Sequence, residues 1–168
     1  MQQAEGYTIQ QTKDPAHFRE GARMMAATDP WITLGMDYEN CLPAFEGICK
    51  EVYILEKRKE MTGFIVLQVC GSFNGYIQTL CIKEAYRGNG LGKQLLQFAE
   101  ERIFQSSPNV FICVSVFNEP AKKLYYKSGF QEVGVLKDFI KNGVDELLLR
   151  KTIGQRLGYK AVENKHPE

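Results

Sequence analysis

The pattern of apolar and polar positions predicts a chain in which strands and helices follow one another in short units. Helical spacing covers residues 15–27, 37–48 and 90–104. The third segment is the strongest helix, because Leu91, Leu95, Phe98, Ala99 and Ile103 share one face. Strand patterns occupy residues 6–12, 50–56, 62–71, 75–83, 109–117, 130–137 and 143–151. The run 109–117 is almost continuously apolar, which is typical of a strand buried on both faces.

A further short helix is predicted after the strand 109–117. Asn118 suits its N-cap, Pro120 its first turn and Gly129 its C-terminal end. The break at 71–75 makes the strands on either side of it a hairpin. This order predicts one α/β domain over residues 1–152, with a mixed, mostly antiparallel sheet flanked by helices. Residues 153–168, rich in Lys, Glu, Asn and Gly, are expected to form a loosely held C-terminal tail.

Length and charge restrict the classes of partner. A chain of 168 residues suits one domain, and a net charge of +1 gives no broad basic surface, so a nucleic-acid partner is not expected. No apolar run approaches the ~20 residues of a membrane helix, and residues 1–15 contain no apolar core of a secretory signal. We therefore expect a cytoplasmic protein without a membrane partner.

The cysteine and histidine positions argue against a covalent or metal framework. The five cysteines are an odd number without a Cys-x-x-Cys pair: Cys41, Cys49, Cys70, Cys81 and Cys113. His17 and His166 lie near opposite ends of the chain. We therefore expect neither a disulfide framework nor a metal cofactor. Cys70, Cys81 and Cys113 fall in strand-like apolar runs, where small buried side chains are expected.

The glycine-rich run Arg87-Gly88-Asn89-Gly90-Leu91-Gly92 joins a predicted strand to the strongest predicted helix. Glycines let the backbone approach a ligand closely, and the first amides of a helix have no partner within it, so such a turn suits an anionic group. A P-loop would need glycine at Arg87 and a hydroxyl at Gln94. A dinucleotide turn would need glycine at Lys93 or Leu95. The run therefore fits neither of these two phosphate-binding motifs. The pattern that remains is Arg-x-x-Gly-x-Gly.

This run, preceded by Thr79-Leu80-Cys81-Ile82, resembles the acetyl-CoA signature of the GNAT superfamily of N-acetyltransferases. Residues 118–130 agree independently, since they are similar to the family's Asn-x-x-Ala-x-x-Leu-Tyr-x-x-x-Gly-Phe. The resemblance covers about residues 6–152 and implies acetyl-CoA as co-substrate. It implies that the backbone of Leu80, Cys81 and Ile82 pairs with the pantetheine arm. It places the pyrophosphate on the turn formed by Arg87, Gly88, Asn89, Gly90, Leu91, Gly92 and Lys93. It also implies a pantetheine contact for Asn118 and a role for Tyr125 as the acid that protonates the leaving thiolate.

The base that deprotonates the acceptor is where the sequence departs from the family pattern. The branch that modifies protein N-termini often has a glutamate five residues before the asparagine, and here that residue is Cys113. Burial in an apolar run would raise the pKa of the Cys113 thiol, so direct transfer is expected rather than a covalent intermediate. Three alternatives stay open for the base: a water relayed by Ser115, a carboxylate among Asp37, Glu39 and Glu46, or Asp145 and Glu146.

The acceptor is predicted to be a primary amine of a small molecule or peptide. Its pocket would be built by residues 29–48 and 138–143, with aromatic walls from Trp31, Tyr38, Phe45 and Phe139. The alternative function is a non-catalytic acyl-CoA-binding sensor or regulatory module, favoured only by the missing glutamate. The sequence leaves open whether the protein is a monomer or a homodimer.

Overall fold

The computed structural model of the protein describes residues 6–160, which form one seven-stranded sheet with helices on both faces. The strands are β1 (Tyr7–Thr12), β2 (Lys50–Lys57), β3 (Glu60–Gln68), β4 (Tyr76–Ile82), β5 (Asn109–Ser115), β6 (Gln131–Lys141) and β7 (Val144–Thr152). Their spatial order is β1-β2-β3-β4-β5-β7-β6. All neighbours are antiparallel except β4 and β5, which are parallel. The predicted mixed, mostly antiparallel sheet is confirmed.

Helices cover the two faces of this sheet, because its central strands are apolar on both sides. The helices are α1 (Pro15–Ala26), α2 (Trp31–Leu34), α3 (Tyr38–Cys41), α4 (Leu91–Phe104) and α5 (Glu119–Lys127). One core contains α4 residues, Tyr125 and alternate residues of β2 and β3 such as Leu55 and Ile65. The other core joins α1 and α3 to the intervening strand residues such as Ile54 and Phe64. The period-2 alternation of each strand thus supplies one residue to each core.

The predicted helix over residues 37–48 is wrong in extent. Its first turn is α3, which Asp37 caps by accepting a hydrogen bond from the Asn40 amide at 3.0 Å. Pro43 then lies in a 3₁₀ turn at Leu42–Phe45, and the chain becomes extended at Glu46. A proline lacks the amide that a continuing helix would need, so the α-helix stops before it. Between α1 and α3 the chain forms the single-turn helix α2.

The expectation that the cysteines form no disulfide is also wrong. Cys49 and Cys70 are bonded, with their Cα atoms 5.6 Å apart. The antiparallel pairing of β2 with β3 places Lys50 opposite Gln68, so the residues just outside this hairpin meet. Cys70 is therefore a bonded residue and not a small buried side chain. Cys81 is buried as predicted, whereas Cys113 is half-buried because β5 is covered less completely than a strand buried on both faces.

The last described residues contact the C-terminal end of α4 and the loop before β4. Tyr159 donates from its hydroxyl to the Phe104 carbonyl at 2.6 Å, and Arg156 donates to the Ser72 carbonyl at 3.1 Å. Residues 161–168 of the predicted tail lie outside the described residues, and the division at residue 152 stays a prediction. Within residues 6–160, the longest apolar helical stretch falls short of what a membrane crossing requires.

Candidate active site

Strands β4 and β5 separate after a short parallel contact, and this separation creates the site. They pair only at Tyr76 with Phe111 and at Ile77 with Ile112, although β4 continues to Ile82. The Lys83 amide donates to the Thr62 carbonyl on β3 at 2.9 Å. Backbone groups alternate sides along a strand, so Cys81 also faces β3, while Leu80 and Ile82 direct their amide groups into the gap. The splayed edge is therefore a row of backbone groups that an amide-bearing ligand can pair with.

The glycine-rich turn lies at the open end of this gap and leads into α4. Gly88 and Gly90 have φ angles of +80° and +75°, which only glycine adopts without strain. The first intrahelical bond runs from the Gln94 amide to the Gly90 carbonyl at 3.0 Å. The amides of Leu91, Gly92 and Lys93 consequently have no helical acceptor and form a positive helix end suited to a phosphate.

Gly92 lets α4 approach its neighbours closely. A Cβ atom there would lie 3.4 Å from Leu124 of α5 and 4.0 Å from both Leu80 and Ile82 of β4. Asn89 instead stabilises the turn itself, because its side-chain amide donates to the carbonyls of Tyr86 and Arg87 at 3.2 and 3.3 Å. The turn is therefore built both to expose amides and to hold its own shape.

The N-terminal end of α5 forms the opposite wall of the gap. Asn118 caps the helix by accepting from the Ala121 amide at 3.3 Å, as predicted. The cap uses only the side-chain oxygen, and within residues 6–160 the side-chain NH₂ has no acceptor. Tyr125 follows two turns later, 6% exposed, and burial raises the pKa of its phenol. A phenol with a raised pKa is fully protonated at neutral pH and can donate a proton.

These elements enclose one cavity of about 660 Å³. Its lining contains every residue predicted for the donor site except Asn89: Leu80, Cys81, Ile82, Arg87, Gly88, Gly90, Leu91, Gly92, Lys93, Asn118 and Tyr125. The structure thus brings together two motifs that are about thirty residues apart in the sequence. Their contacts with a ligand stay a prediction.

Arg87 ties this cavity to the segment that follows α1. Its Nε donates to the Ile82 carbonyl at 3.0 Å, and its Nη2 donates to the Thr28 hydroxyl at 2.6 Å. Asp29, Pro30 and Trp31 then line the same cavity. Sequence reasoning missed the contact of Thr28 with Arg87, and it assigned residues 29–48 to the acceptor pocket without foreseeing that Asp29 and Pro30 also lie beside residues 87–92.

The predicted acceptor residues divide between the core and the surface. Phe45 is buried and stacks on Phe18 with ring centroids 5.6 Å apart, so it belongs to the core and not to a pocket wall. Trp31 lines the cavity, and Tyr38 lies under the Arg23 guanidinium, 5.8 Å from the ring centroid. Phe139 is 58% exposed on β6. Lys141 of the same strand donates to the Thr33 carbonyl at 2.9 Å, which joins the β6–β7 hairpin to α2.

A polar cluster lies behind Cys113, at the side of the gap away from the glycine-rich turn. A side-chain hydrogen bond joins Tyr76 to Cys113, and Ser115 donates a short hydrogen bond to the Glu146 carboxylate. Burial raises the pKa of the Cys113 thiol, an effect that the bond with Tyr76 opposes. The thiol form is therefore favoured at neutral pH, which weakens any role for Cys113 as a nucleophile.

Comparison with known proteins agrees with this geometry. The sequence pattern of the acetyltransferase (GNAT) family matches residues 18–130, and the chain belongs to that family. It is 30% identical to a Bacillus subtilis protein named "Putative [ribosomal protein bS18]-alanine N-acetyltransferase", over 76% of this chain and 83% of that one. It is 29% identical to an N-alpha-acetyltransferase of Sulfurisphaera tokodaii, over 58% of this chain and 66% of that protein, just under two thirds of its length.

A solved structure shows the same fold. The ribosomal-protein-S18-alanine N-acetyltransferase from Escherichia coli superposes with a TM-score of 0.69, covering 95% of this chain and 99% of that one. The sequence identity is 18%, so this likeness concerns the fold alone.

Proposed function

We propose that the protein is an N-acetyltransferase that transfers an acetyl group from acetyl-CoA to a primary amine of a small molecule or peptide. The observation that carries the proposal is the splayed pair β4 and β5, flanked by the free amides of α4 and by Tyr125. The acyl donor has an amide-bearing arm and a pyrophosphate, and the gap offers strand-edge groups for the first and a helix N-terminus for the second.

In this proposal the chain positions the thioester and manages two protons. The Leu80 and Ile82 backbone groups hold the arm, and amide donors at the same edge stabilise the oxyanion that forms when the amine attacks. Tyr125 donates its proton to the departing sulfur, which leaves as a thiol. The Asn118 side-chain NH₂ supplies a further hydrogen bond to the arm. The acceptor would approach between α2 and the β6–β7 hairpin, which Lys141 joins.

The acceptor class is inferred from the family and the relatives. The name of the Bacillus relative states an alanine of a ribosomal protein as substrate, which supports a peptide amine for this chain. A non-catalytic acyl-CoA-binding module is the alternative, and since Tyr125 also packs in the core, turnover is what separates the two.

The test is thiol release from acetyl-CoA with a panel of amines, measured for the wild type, Tyr125→Phe and Tyr126→Phe. Tyr126 is the matched control, since it is the adjacent tyrosine of the same helix and is 43% exposed. Loss of a general acid typically lowers the rate by ~10²–10⁴-fold, so we expect a kcat decrease in that range for Tyr125→Phe only. Acetyl-CoA affinity, measured by calorimetry, should be unchanged in both variants. Tight binding without thiol release from any amine would support the binding module instead.

A further inference from the structure

Glu146 is a buried carboxylate beside the gap between β4 and β5. It is 3% exposed on β7, directly opposite Ser115 of β5 in the antiparallel register. The Ser115 hydroxyl donates to Glu146 Oε1, and this is the hydrogen bond that fixes the side chain. The pairing of β5 with β7 therefore holds the carboxylate at the point where β5 runs free of β4.

This carboxylate has no cationic partner. The described ion pairs all lie elsewhere, and within residues 6–160 no Lys, Arg or His pairs with Glu146. The buried Glu100 offers a contrast, because it pairs with Lys151 at 2.6 Å. Glu146 lies beside Cys113, which lines the cavity, and because burial of an unpaired charge is costly, a cationic group that reaches the carboxylate would be favoured there.

The groups that face Glu146 are neutral in their usual forms. Tyr76 from β4 and Cys113 and Ser115 from β5 lie against it, and its β6 neighbour in the register is Leu136. Tyr125 from α5 reaches the same group of residues through Tyr76. Burial raises the pKa of the Glu146 carboxyl, and the hydrogen bond from Ser115 opposes that rise. Among residues 6–160, the hydrogen bond from Ser115 is therefore the interaction that favours the charged form of Glu146, and no cation adds to it.

The other acidic candidates near the acceptor side are already engaged with the backbone. Asp29 accepts from the Thr33 amide and hydroxyl at 3.2 and 2.7 Å. Asp37 caps α3, and Asp145 accepts from the Asp138 amide at 3.3 Å. Each of these carboxylates uses one oxygen to stabilise a turn or a helix end and none of the three is buried, whereas Glu146 is buried.

We infer that Glu146 binds the ammonium group of the acceptor and takes its proton, an inference that rests on the proposed transfer to an amine. The N–H bond breaks, its electron pair stays on nitrogen, and the proton moves to the free carboxylate oxygen. The nitrogen pair forms the C–N bond while the C–S bond breaks and its pair leaves on sulfur. Tyr125 gives its proton to that sulfur and regains one from the acylated nitrogen. Glu146 releases its proton to water, so one proton is produced per turnover.

The experiment compares the wild type with Glu146→Gln, Glu146→Asp and the control Glu132→Gln, which removes an exposed carboxylate from the adjacent strand β6. The acceptors are an alanine-initiated hexapeptide, a serine-initiated hexapeptide and spermidine, with thiol release followed from pH 5 to 9. In the wild type, log kcat/KM plotted against pH should decrease with a slope of one as the pH is lowered. The midpoint of this decrease should lie above the ordinary glutamate pKa of ~4.3. Glu146→Gln should lack this decrease on the acid side (the acid limb) and should react ~10²-fold more slowly than the wild type. Glu146→Asp should retain the acid limb.

A second measurement separates this role from a structural one. A carboxyl whose pKa is raised on folding stabilises the fold below its unfolded pKa, and that stabilisation is lost as pH rises through the folded pKa. Glu146→Gln should therefore melt no lower than the wild type at neutral pH, whereas loss of a structural contact would lower the melting temperature.

Three outcomes would overturn the inference. An active wild type with an unchanged acid limb in Glu146→Gln would refute it and leave the proposed function intact. A Glu132→Gln variant that loses the limb equally would refute it as well. A wild type that releases no thiol with any acceptor would refute the proposed function and the inference together.

Discussion

The proposed donor half and the proposed acceptor half of the site are built in different ways. The donor half extends from β4 to α5, and it presents backbone groups of a strand edge and of a helix N-terminus. The proposed acceptor half combines α2 and the β6–β7 hairpin, which the contact of Lys141 with Thr33 joins. In the proposed function the donor half binds its ligand through main-chain groups, which require glycines in the turn, while the acceptor half relies on side chains from distant segments.

This difference decides which substitutions should act on which substrate. Changes that strain the donor half should raise the KM of acetyl-CoA, and changes that loosen the acceptor half should raise the KM of the amine. Arg87 is the exception, because its bonds to Ile82 and Thr28 connect the two halves.

The largest expected effect comes from the disulfide. The double variant Cys49→Ser/Cys70→Ser opens a cross-link of sequence separation 21, and closing a loop of this size contributes ~3 kcal/mol to the free energy of unfolding. Urea denaturation should show a loss of that order, and both KM values should stay nearly unchanged, because Gln68 pairs with Tyr76 and Gly63 with Ile82, so the bond lies at the end of β3 away from the glycine-rich turn. As the control, dithiothreitol should bring the wild type to the same midpoint and leave the double variant unchanged. Equal midpoints without reductant would contradict the cross-link.

The next effect concerns the donor half alone. In Gly63→Ala the new Cβ would lie 2.9 Å from the Cys81 carbonyl oxygen and 2.6 Å from Ile82 Cδ1, so β4 must shift. Overpacking of this kind costs ~1–3 kcal/mol, and we expect the acetyl-CoA KM to rise about tenfold with the amine KM nearly unchanged. The matched control is Gly134→Ala on β6, where a Cβ meets nothing within 4 Å. A selective rise in the amine KM would contradict the assignment of β4 to the donor half.

The smallest effect should come from Lys141→Met, which removes the bond to the Thr33 carbonyl. The lysine is exposed, so the free energy of unfolding should change by less than ~0.5 kcal/mol. The amine KM should rise about two- to threefold, since one hydrogen bond to a charged group is lost from a flexible contact. Lys137→Met, on the same exposed strand, is the control. An altered acetyl-CoA KM in Lys141→Met alone would show that the hairpin also shapes the donor half.

The same division explains what could be predicted from the sequence. α4 was expected over 90–104 and begins at Leu91, and the Asn118 cap formed as expected, because periodicity and capping are local properties. The prediction of one helix over 37–48 was wrong, because the α-helix ends before Pro43 although the apolar spacing continues.

Features that depend on tertiary contacts were missed. The disulfide was not foreseen, because it is the antiparallel register of β2 with β3 that brings Cys49 and Cys70 together. The placement of β7 between β5 and β6 sets Glu146 opposite Ser115, and no local pattern encodes that strand order. Glu146 was therefore only one of several open candidates from the sequence.

The early separation of β4 from β5 also has a thermodynamic consequence. A ligand that pairs with the exposed edge of β4 completes the sheet, so it binds the folded chain and has no comparable partner in the unfolded one. At a concentration one hundred times its dissociation constant, such a ligand adds ~2.7 kcal/mol to the free energy of unfolding. The melting temperature of this protein would then report the supply of its acyl donor, and a cell short of that metabolite would hold a less durable pool of the protein.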